Sequence, residues 1–283
     1  MHLDIEATSR CNLKCAFCDK LPLLKKEDLG DMDIRLYKRI IDEGAEHKLW
    51  AVKLSYRGEP LLHKDIIEMV YYAKKKGILD VYFNTNGMLL SEEMGEGLIG
   101  AGLDRISISV EGTDARSFEQ KRIGAKFNLI LRNIDAILEL RKKLKVRHPQ
   151  VRVQTIYSSD RDLKGYKEFW SGHSDEVAAV DYKDETNRRQ GIEYDWACPQ
   201  LWQRLTIQWD GTVLACNNDD LCRLSLGNVA KKTIYQCWHD NKAQQARALH
   251  RKGASHKIKA CNGCPWRSAQ ISKLIREPRH ENN

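Results

Sequence analysis

Along the first two thirds of the chain, short apolar runs alternate with longer segments whose apolar residues recur every three or four positions. The short runs predict β-strands, and the longer periodic segments predict amphipathic helices. In the segment 33–47, for example, Ile34, Tyr37, Ile41 and Ala45 fall on one helical face. The pattern predicts strands at 3–8, 50–56, 80–86, 105–110, 151–157 and 176–182, and helices at 33–47, 65–77, 91–102, 127–145 and 163–173.

Strands that alternate with helices pair in parallel through right-handed crossovers. The six strand–helix units, of which the sixth has no clear helix, therefore predict an α/β domain over residues 1–190, with one parallel sheet that is either open or curled into a partial barrel. From about residue 190 the pattern changes. Residues 204–216 predict a hairpin with an Asp-Gly turn, and a helix is expected from about 232 to 251. We therefore expect a second, smaller α+β domain over residues 191–283.

Unusual short motifs follow four of the predicted strands. A cysteine-rich loop follows the first strand, "RGEP" (57–60) the second, "NTNG" (84–87) the third, and "SVEG" (109–112) ends the fourth. The loops at the carboxyl ends of parallel strands lie along one edge of the sheet and carry the chemistry of such folds. The four motifs therefore predict one shared site.

The bulk composition is that of an ordinary globular protein, with a net charge of +8 from 47 basic and 39 acidic residues. The basic residues are scattered, and the densest run, 141–149, lies at the end of a predicted helix, where cations complement the helix dipole. No apolar run approaches the roughly 20 residues of a membrane span, and the first residues lack a secretory pattern. We expect a cytoplasmic protein without a membrane partner, and nucleic acid is not the favoured partner.

The nine cysteines form two groups, with three at positions 11, 15 and 18 and six between 198 and 264. In a reducing compartment this distribution predicts metal centres at two places rather than disulfides. Iron–sulfur clusters are normally held by four thiolates, so three would leave one iron open to a substrate or cofactor. Structural zinc closed by four Cys or His ligands and a buried apolar role are the alternatives.

The spacing of Cys11, Cys15 and Cys18, Cys-x3-Cys-x2-Cys directly after the first strand, resembles the motif of the radical S-adenosylmethionine (SAM) superfamily. The resemblance implies a partial (β/α)6 barrel and a [4Fe–4S] cluster whose open iron is chelated by the methionine part of SAM. It also implies an electron donor such as flavodoxin or ferredoxin. Reductive cleavage of SAM in this family gives a 5′-deoxyadenosyl radical that abstracts a substrate hydrogen.

Other rim residues are similar to residues that contact the cofactor in this family. "RGEP" resembles the family's GGEP loop, which implies that Gly58 and Glu59 meet the amino group of SAM, although Arg57 replaces the first glycine. Arg122 resembles an arginine that pairs with the SAM carboxylate. The further residues that the resemblance places at the cofactor are Phe17, Asn84, Thr85, Asn86, Ser109 and Glu111.

The second cysteine group resembles an auxiliary iron–sulfur domain called SPASM. Cys198, Gly211 and Cys216 match its opening Cys-x12-Gly-x4-Cys, and "CNGC" (261–264) follows, but Gln270 stands where a further cysteine is expected. The shorter version with one auxiliary [4Fe–4S] cluster, called twitch, fits better. Its spacing is similar to that of the butirosin-pathway 2-deoxy-scyllo-inosamine dehydrogenase, which oxidises an amino-cyclitol. The implied ligands are Cys198, Cys216, Cys261 and Cys264.

The preferred reaction is the two-electron oxidation of a small polar substrate, such as an aminosugar or cyclitol alcohol. This expectation uses the four-cysteine spacing and the start of the chain at the first strand. Epimerisation of a sugar or peptide residue, with Cys222 or Cys237 as hydrogen donor, is the nearest alternative. If neither thiol has that role, both are expected to be small buried apolar residues. Peptide modification and a zinc-stabilised nucleic-acid module are further alternatives. Substrate-facing residues are expected at Gln154, Tyr157, Asp181, Arg188 and Arg189.

Overall fold

The chain folds into two compact units in a computed structural model. The first unit consists of Met1–Tyr182 with Ile207–Gly211, and the second of Lys183–Thr206 with Thr212–Asn283. The structure describes residues 1–18, 20, 23–157, 162–181 and 193–276. The boundary expected at residues 190 and 191 lies outside the described residues and stays a prediction.

The first unit alternates strands and helices along the chain. Its strands are β1 (His2–Ile5), β2 (Lys14–Cys15), β3 (Ala51–Lys53), β4 (Asp80–Thr85), β5 (Arg105–Ser109), β6 (Arg122–Ile123), β7 (Gln150–Tyr157) and β8 (Glu176–Asp181). Its helices are α1 (Ile34–Glu46), α2 (Ile66–Lys75), α3 (Glu92–Gly100), α4 (Ala115–Lys121), α5 (Phe127–Leu144) and α6 (Leu163–Ser171), with short 3-10 turns at Lys26–Asp28 and Pro60–Leu62.

Six of these strands form the predicted parallel sheet, in the order β1-β3-β4-β5-β7-β8, and every neighbouring pair among them is parallel. Apolar side chains align across it: Phe83, Ile106 and Val151 are register partners in three successive strands and are fully buried. The burial of each such side chain stabilises the folded state by about 1.5–3 kcal/mol. This sheet confirms the α/β fold class and its six strands.

Helix α4 and the strands β2 and β6 of the first unit were not predicted. Helix α4 spans only seven residues, and β6 pairs antiparallel with β2 in a two-stranded ladder apart from the main sheet. Its register pairs Cys15 with Arg122. The ladder therefore fixes the cysteine loop against the segment that follows α4.

The second unit is smaller and mixes helices with a few short strands. Strand β10 (Thr212–Leu214) pairs antiparallel with β11 (Ser225–Asn228), and the Asp-Gly turn before it has Gly211 at a positive φ of 87°. The helix expected over 232–251 is two helices, because Asp240 caps a new one by accepting from the Lys242 N–H. The remaining elements are α7 (Gln200–Gln203), β9 (Arg204–Ile207), α8 (Ile234–Trp238), α9 (Asn241–Arg251), a 3-10 turn at Ser255–Lys257 and α10 (Pro265–Arg276).

Among the described residues, no helix combines the length and the apolar character needed to cross a membrane.

Candidate functional site

A cavity of about 280 Å³ lies at the carboxyl ends of the parallel strands in the first unit. It brings together all the residues predicted to bind the first cluster and SAM except Glu111. The Glu111 carboxylate instead pairs with Arg122, which does line the cavity. The predicted residues that line it are Cys11, Cys15, Phe17, Cys18, Gly58, Glu59, Asn84, Thr85, Asn86, Ser109 and Arg122. The shared site expected from the four loop motifs is thus one cavity.

The cysteine loop is held in place from two sides. The β2–β6 ladder sets Cys15 beside Arg122, whose Nη1 lies 3.8 Å from the Cys15 sulfur. On the other side, the Asn86 amide donates to Asn12 Oδ1 at 2.8 Å. These contacts tie the loop to the ends of two other elements of the unit, so that its thiols keep a fixed direction into the cavity.

Arg122 is a buried cation at the wall of this cavity. It forms a two-pronged ion pair with Glu111, which is also buried, and its guanidinium lies 5.3 Å from the centre of the Phe17 ring. Such an arginine is held by its carboxylate partner in one orientation. It therefore presents positive charge to Cys15 and to the cavity.

Burial makes two thiols of this cavity, those of Cys11 and Cys15, hard to ionise. Burial raises the pKa of Cys15 to about 11, with the charge of Arg122 opposing and the neighbouring thiols Cys11 and Cys18 adding to the rise. The pKa of Cys11 is also raised, mainly by burial. Thiols that share a cavity in this way become thiolates when a positively charged metal core neutralises them.

The RGEP loop packs directly against residues 8–10, the segment between strand β1 and the cysteine loop. A Cβ atom at Gly58 would lie 2.3 Å from the Thr8 carbonyl oxygen, so only glycine fits there. The Glu59 carboxylate is buried and accepts hydrogen bonds from Thr85 Oγ1 at 2.6 Å and from the Asn86 N–H at 2.7 Å. Burial raises the pKa of Glu59, and these donors oppose the rise. Glu59 therefore orders the neighbouring NTNG loop.

Arg57, which replaces a glycine of the family motif, is bound to a partner inside the unit. Its Nε and Nη2 donate to the two carboxylate oxygens of Glu6, both at 2.7 Å. Glu6 is fully buried, and the Arg57 side chain is 7% exposed. The charge of Arg57 is therefore matched by Glu6 rather than offered unpaired to a substrate.

A second cavity, in the second unit, is lined by the four predicted auxiliary ligands. Cys198 precedes α7, Cys216 follows β10, and the CNGC turn precedes α10, so three separate segments supply the sulfurs Cys198, Cys216, Cys261 and Cys264. Burial, with the nearby thiol of Cys216, raises the pKa of Cys198 to about 12. Burial likewise raises the pKa of Cys261.

Two buried polar side chains at this second cavity were not predicted from the sequence. His250 of α9 and Arg267 of α10 both line it, and both are buried. Burial and the charge of Arg267 lower the pKa of His250 to about 4, so the imidazole is neutral at pH 7. Neither residue belongs to a motif, and only the folded chain brings them to the thiols.

The two remaining cysteines do not line either thiol cavity as the described residues define them. Cys237 is fully buried in α8. Cys222 is partly exposed and sits in a turn at a positive φ of 53°. Their proposed part as hydrogen donors stays a prediction.

The residues expected to face the substrate are only partly described. Gln154 of β7 donates to the Ser109 hydroxyl at 3.3 Å, beside the first cavity. Tyr157 and Asp181 end strands β7 and β8, but their side chains lie outside the described part, as do Arg188 and Arg189 altogether. Their role is still a prediction.

The fold and the two thiol-lined cavities define an α/β protein built around iron–sulfur chemistry. A family model described as the radical SAM superfamily matches residues 5–156, more than half of the chain. One described as SPASM, an iron–sulfur cluster-binding domain, matches residues 198–265. The chain belongs to the radical SAM superfamily. It therefore binds a [4Fe–4S] cluster and SAM, and its SPASM domain binds auxiliary iron–sulfur.

Curated relatives carry the name GTP 3′,8-cyclase. One from Campylobacter jejuni is 30% identical over 221 residues, which cover 73% of this chain and 64% of that protein. A probable one from Methanococcus maripaludis is 31% identical over 137 residues, 48% of this chain and 45% of that protein. This chain thus spans between 45% and 64% of the length of these relatives.

Solved structures with the same fold include enzymes that were crystallised with AdoMet. BtrN in complex with AdoMet and 2-DOIA has a TM-score of 0.62 at 20% identity, with 92% of this chain and 90% of that chain covered. The protein anSMEcpe with bound AdoMet has a TM-score of 0.69 at 18% identity, with 89% and 83% covered. At these identities the likeness supports the fold.

Proposed function

We propose that this chain is a radical SAM oxidoreductase that dehydrogenates a small polar substrate, such as an aminosugar or a cyclitol alcohol, with one auxiliary [4Fe–4S] cluster. The observation that carries this proposal is the second cavity, which four thiols line. Four thiolates complete the ligation of a cubane. A cluster with no open iron is suited to accept an electron, which is the second half of an alcohol oxidation.

The donor sets of both cavities suit the clusters assigned to them. We assign Cys11, Cys15 and Cys18 to the SAM-binding cluster, because three thiols beside the cationic Arg122 leave one corner for the cofactor. In the described residues, no three His, Cys, Asp or Glu side chains converge on a single ion. A cubane does not require such convergence, because each thiolate binds its own iron.

When bound, SAM and the clusters supply one-electron chemistry that removes a substrate hydrogen and takes up the remaining electron. The chain's own residues position the reactants. We infer that Arg122 pairs with the SAM carboxylate, that Gly58 and Glu59 meet the SAM amino group, and that the Phe17 backbone meets the adenine. A reduced flavodoxin or ferredoxin supplies the electron that starts the reaction.

Epimerisation through a thiol hydrogen donor receives less support. A donor must reach a substrate radical, whereas Cys237 is fully buried in α8. Cys222 is partly exposed but is held in a turn at positive φ. The zinc-stabilised module also receives less support, since the second unit matches an iron–sulfur cluster-binding domain.

Nucleotide cyclisation is the second candidate function. The observation in its favour is the 30% identity to a GTP 3′,8-cyclase over 73% of this chain. The fourth thiol of the second cavity favours the first candidate, because four thiolates complete the ligation of a cluster and suit it to electron transfer. GTP therefore belongs among the substrates that must be tested.

The decisive experiment is anaerobic reconstitution followed by a screen of aminosugars, cyclitols, short peptides and GTP for release of 5′-deoxyadenosine. The substrate carries deuterium at the carbon that bears the hydroxyl. We expect the deuterium in 5′-deoxyadenosine and a carbonyl product that has lost one deuterium and one hydrogen. The variant Cys198→Ala should still cleave SAM but should yield far less oxidised product.

The same screen identifies the competing reactions. A product that keeps the atomic composition of the substrate, but in which the abstracted hydrogen is replaced by one from the solvent (deuterium in heavy water), would indicate epimerisation. A cyclised nucleotide from GTP would establish the second candidate. Either result, without any carbonyl product from a sugar or cyclitol, would overturn the proposed dehydrogenation.

A further inference from the structure

The imidazole of His250 connects two of the three segments that supply the thiols of the second cavity. The Cys198 backbone N–H donates to His250 Nδ1 at 3.1 Å. On the opposite side of the ring, His250 Nε2 lies 3.3 Å from the Cys261 sulfur. The side chain has no exposed surface, so water does not compete for either nitrogen.

These two contacts fix the position of the ring proton. A backbone N–H can only donate, so Nδ1 must be the acceptor in the first contact. A neutral imidazole carries one proton, and that proton must then be on Nε2. The Nε2–H therefore points at the Cys261 sulfur, which accepts the hydrogen bond.

We propose that His250 is a positioning residue that donates its Nε2–H to the Cys261 thiolate and thereby raises the reduction potential of the auxiliary cluster. This inference rests on the assignment of Cys198, Cys216, Cys261 and Cys264 as cluster ligands. Hydrogen bonds to the sulfurs are among the factors that set the potential of iron–sulfur clusters. Partners that orient the ligands tune a metal site in the same way.

The physical reason is the charge that the cluster gains on reduction. Part of the added negative charge falls on the thiolate sulfurs, so an N–H donor stabilises the reduced state more than the oxidised state. Arg267, which is also buried, holds positive charge in the same cavity and donates to Ser255 Oγ at 2.8 Å. A cluster that must accept an electron from a substrate radical benefits from both.

Three substitutions separate the two contacts of the ring. The amide oxygen of His250→Asn can replace Nδ1 and keep the acceptor for Cys198, but this variant has no group at Nε2. The amide nitrogen of His250→Gln can replace Nε2 and keep a donor to Cys261. His250→Leu removes both groups.

Each substitution is made in the full chain with Cys11, Cys15 and Cys18 replaced by alanine, so that the C-terminal cluster gives the only iron–sulfur signal. Its midpoint is measured by a redox titration monitored by electron paramagnetic resonance. In His250→Asn and His250→Leu we expect the ratio of reduced to oxidised cluster at a fixed potential to fall about tenfold, which is about 59 mV for one electron. His250→Gln should stay close to the parent.

A second measurement compares the parent with His250→Asn by resonance Raman spectroscopy. Exchange into heavy water should shift an iron–sulfur stretching band in the parent, and the shift should be smaller in His250→Asn, where other donors to the ligand sulfurs, such as the Asn218 N–H to Cys216, remain. A merely structural histidine would give the same deuterium shift in both proteins.

Equal midpoint potentials in the parent and His250→Asn would overturn the inference. An equal fall of the midpoint potential in His250→Asn and His250→Gln would also overturn it. Loss of iron from all three variants would also overturn it, since His250 would then be required for assembly rather than tuning. If the parent itself holds no iron, the ligand assignment fails and the inference falls with it. An iron-bearing parent with unchanged midpoints leaves the proposed function standing.

Discussion

A single residue, Arg57, shows how the first unit accommodates a charge in a loop where the family motif has glycine. Its guanidinium pairs with Glu6 in two hydrogen bonds of 2.7 Å, and both side chains are almost fully buried. Glu6 Oε2 also accepts from the Trp209 backbone N–H at 3.2 Å. Removing one charge of such a pair is costly, because the other charge is left buried without compensation.

Glu6→Gln should therefore destabilise the chain by about 3–5 kcal/mol, the cost of breaking a buried ion pair from one side. The double variant Glu6→Gln with Arg57→Met should recover much of this loss, because it removes both charges. Urea unfolding followed by circular dichroism measures the three free energies of unfolding.

A matched control is the ion pair between Arg105 and Asp80, whose side chains are 40% and 32% exposed. Asp80→Asn should cost only about 0–1 kcal/mol, since water screens a pair at the surface. If Glu6→Gln costs no more than this control, the pair with Arg57 does not hold the RGEP loop.

Between elements, the clearest connection joins the end of helix α5 to the start of strand β7. Arg141 of α5 donates to the two carboxylate oxygens of Asp175 at 2.7 and 2.9 Å, and the Val151 N–H of β7 donates to the same carboxylate at 2.7 Å. Arg141 Nη1 also donates to the Pro149 carbonyl at 2.8 Å. The first cation of the basic run 141–149 thus closes the α5–β7 connection.

Asp175→Asn should lower the free energy of unfolding by about 1 kcal/mol at neutral pH, a value at the low end for charged hydrogen bonds because the carboxylate is partly exposed. Although burial opposes it, pairing with Arg141 and the Val151 N–H lowers the pKa of Asp175 below its ordinary 3.8. A lowered pKa gives stability that is present above the ordinary pKa and lost as the pH falls through the folded value. The difference between wild type and variant should therefore be constant from about pH 6 to 8 and shrink below about pH 4.

Glu139→Gln on the same helix is the control. The Glu139 side chain is 70% exposed and pairs with the equally exposed Lys142 at the surface, so stability should change by less than about 0.5 kcal/mol. A pH-independent loss in Asp175→Asn would contradict the part assigned to the charge of Asp175.

Long periodic elements could be predicted from the sequence, whereas short elements set by distant contacts could not. The apolar face of α1 and the six parallel strands follow from local periodicity. Strand β2 has two residues, and it exists only because Cys15 pairs with Arg122, which is 107 positions further along the chain. The break at Asp240 carried a capping signal, but the apolar pattern on both sides of it suggested one helix.

The candidate sites show the same division. The seven cysteines proposed as cluster ligands and Gly58 stand in motifs whose spacing is readable along the chain. His250 is 52 positions from Cys198 and 11 from Cys261, and a lone histidine at such distances gives no signal. Only the packing of α9 against the cysteine segments brings it to the thiols.

At the scale of the whole molecule, each set of cluster cysteines belongs to one compact unit. Cys11, Cys15 and Cys18 lie in the first unit, and the four auxiliary cysteines lie in the second. Among the described residues, neither cavity is lined by a thiol from the other unit. The two clusters should therefore assemble independently of each other.

Iron content tests this independence. The reconstituted wild type should hold about eight irons and matching sulfide per chain, as expected for two cubanes. Cys11→Ala with Cys15→Ala and Cys18→Ala should hold about four and lose SAM cleavage, because the cofactor's iron is gone. Cys198→Ala with Cys216→Ala should also hold about four but keep SAM cleavage. Loss of both clusters from either variant would contradict independent assembly, and zinc without sulfide in the second unit would refute the auxiliary cluster itself.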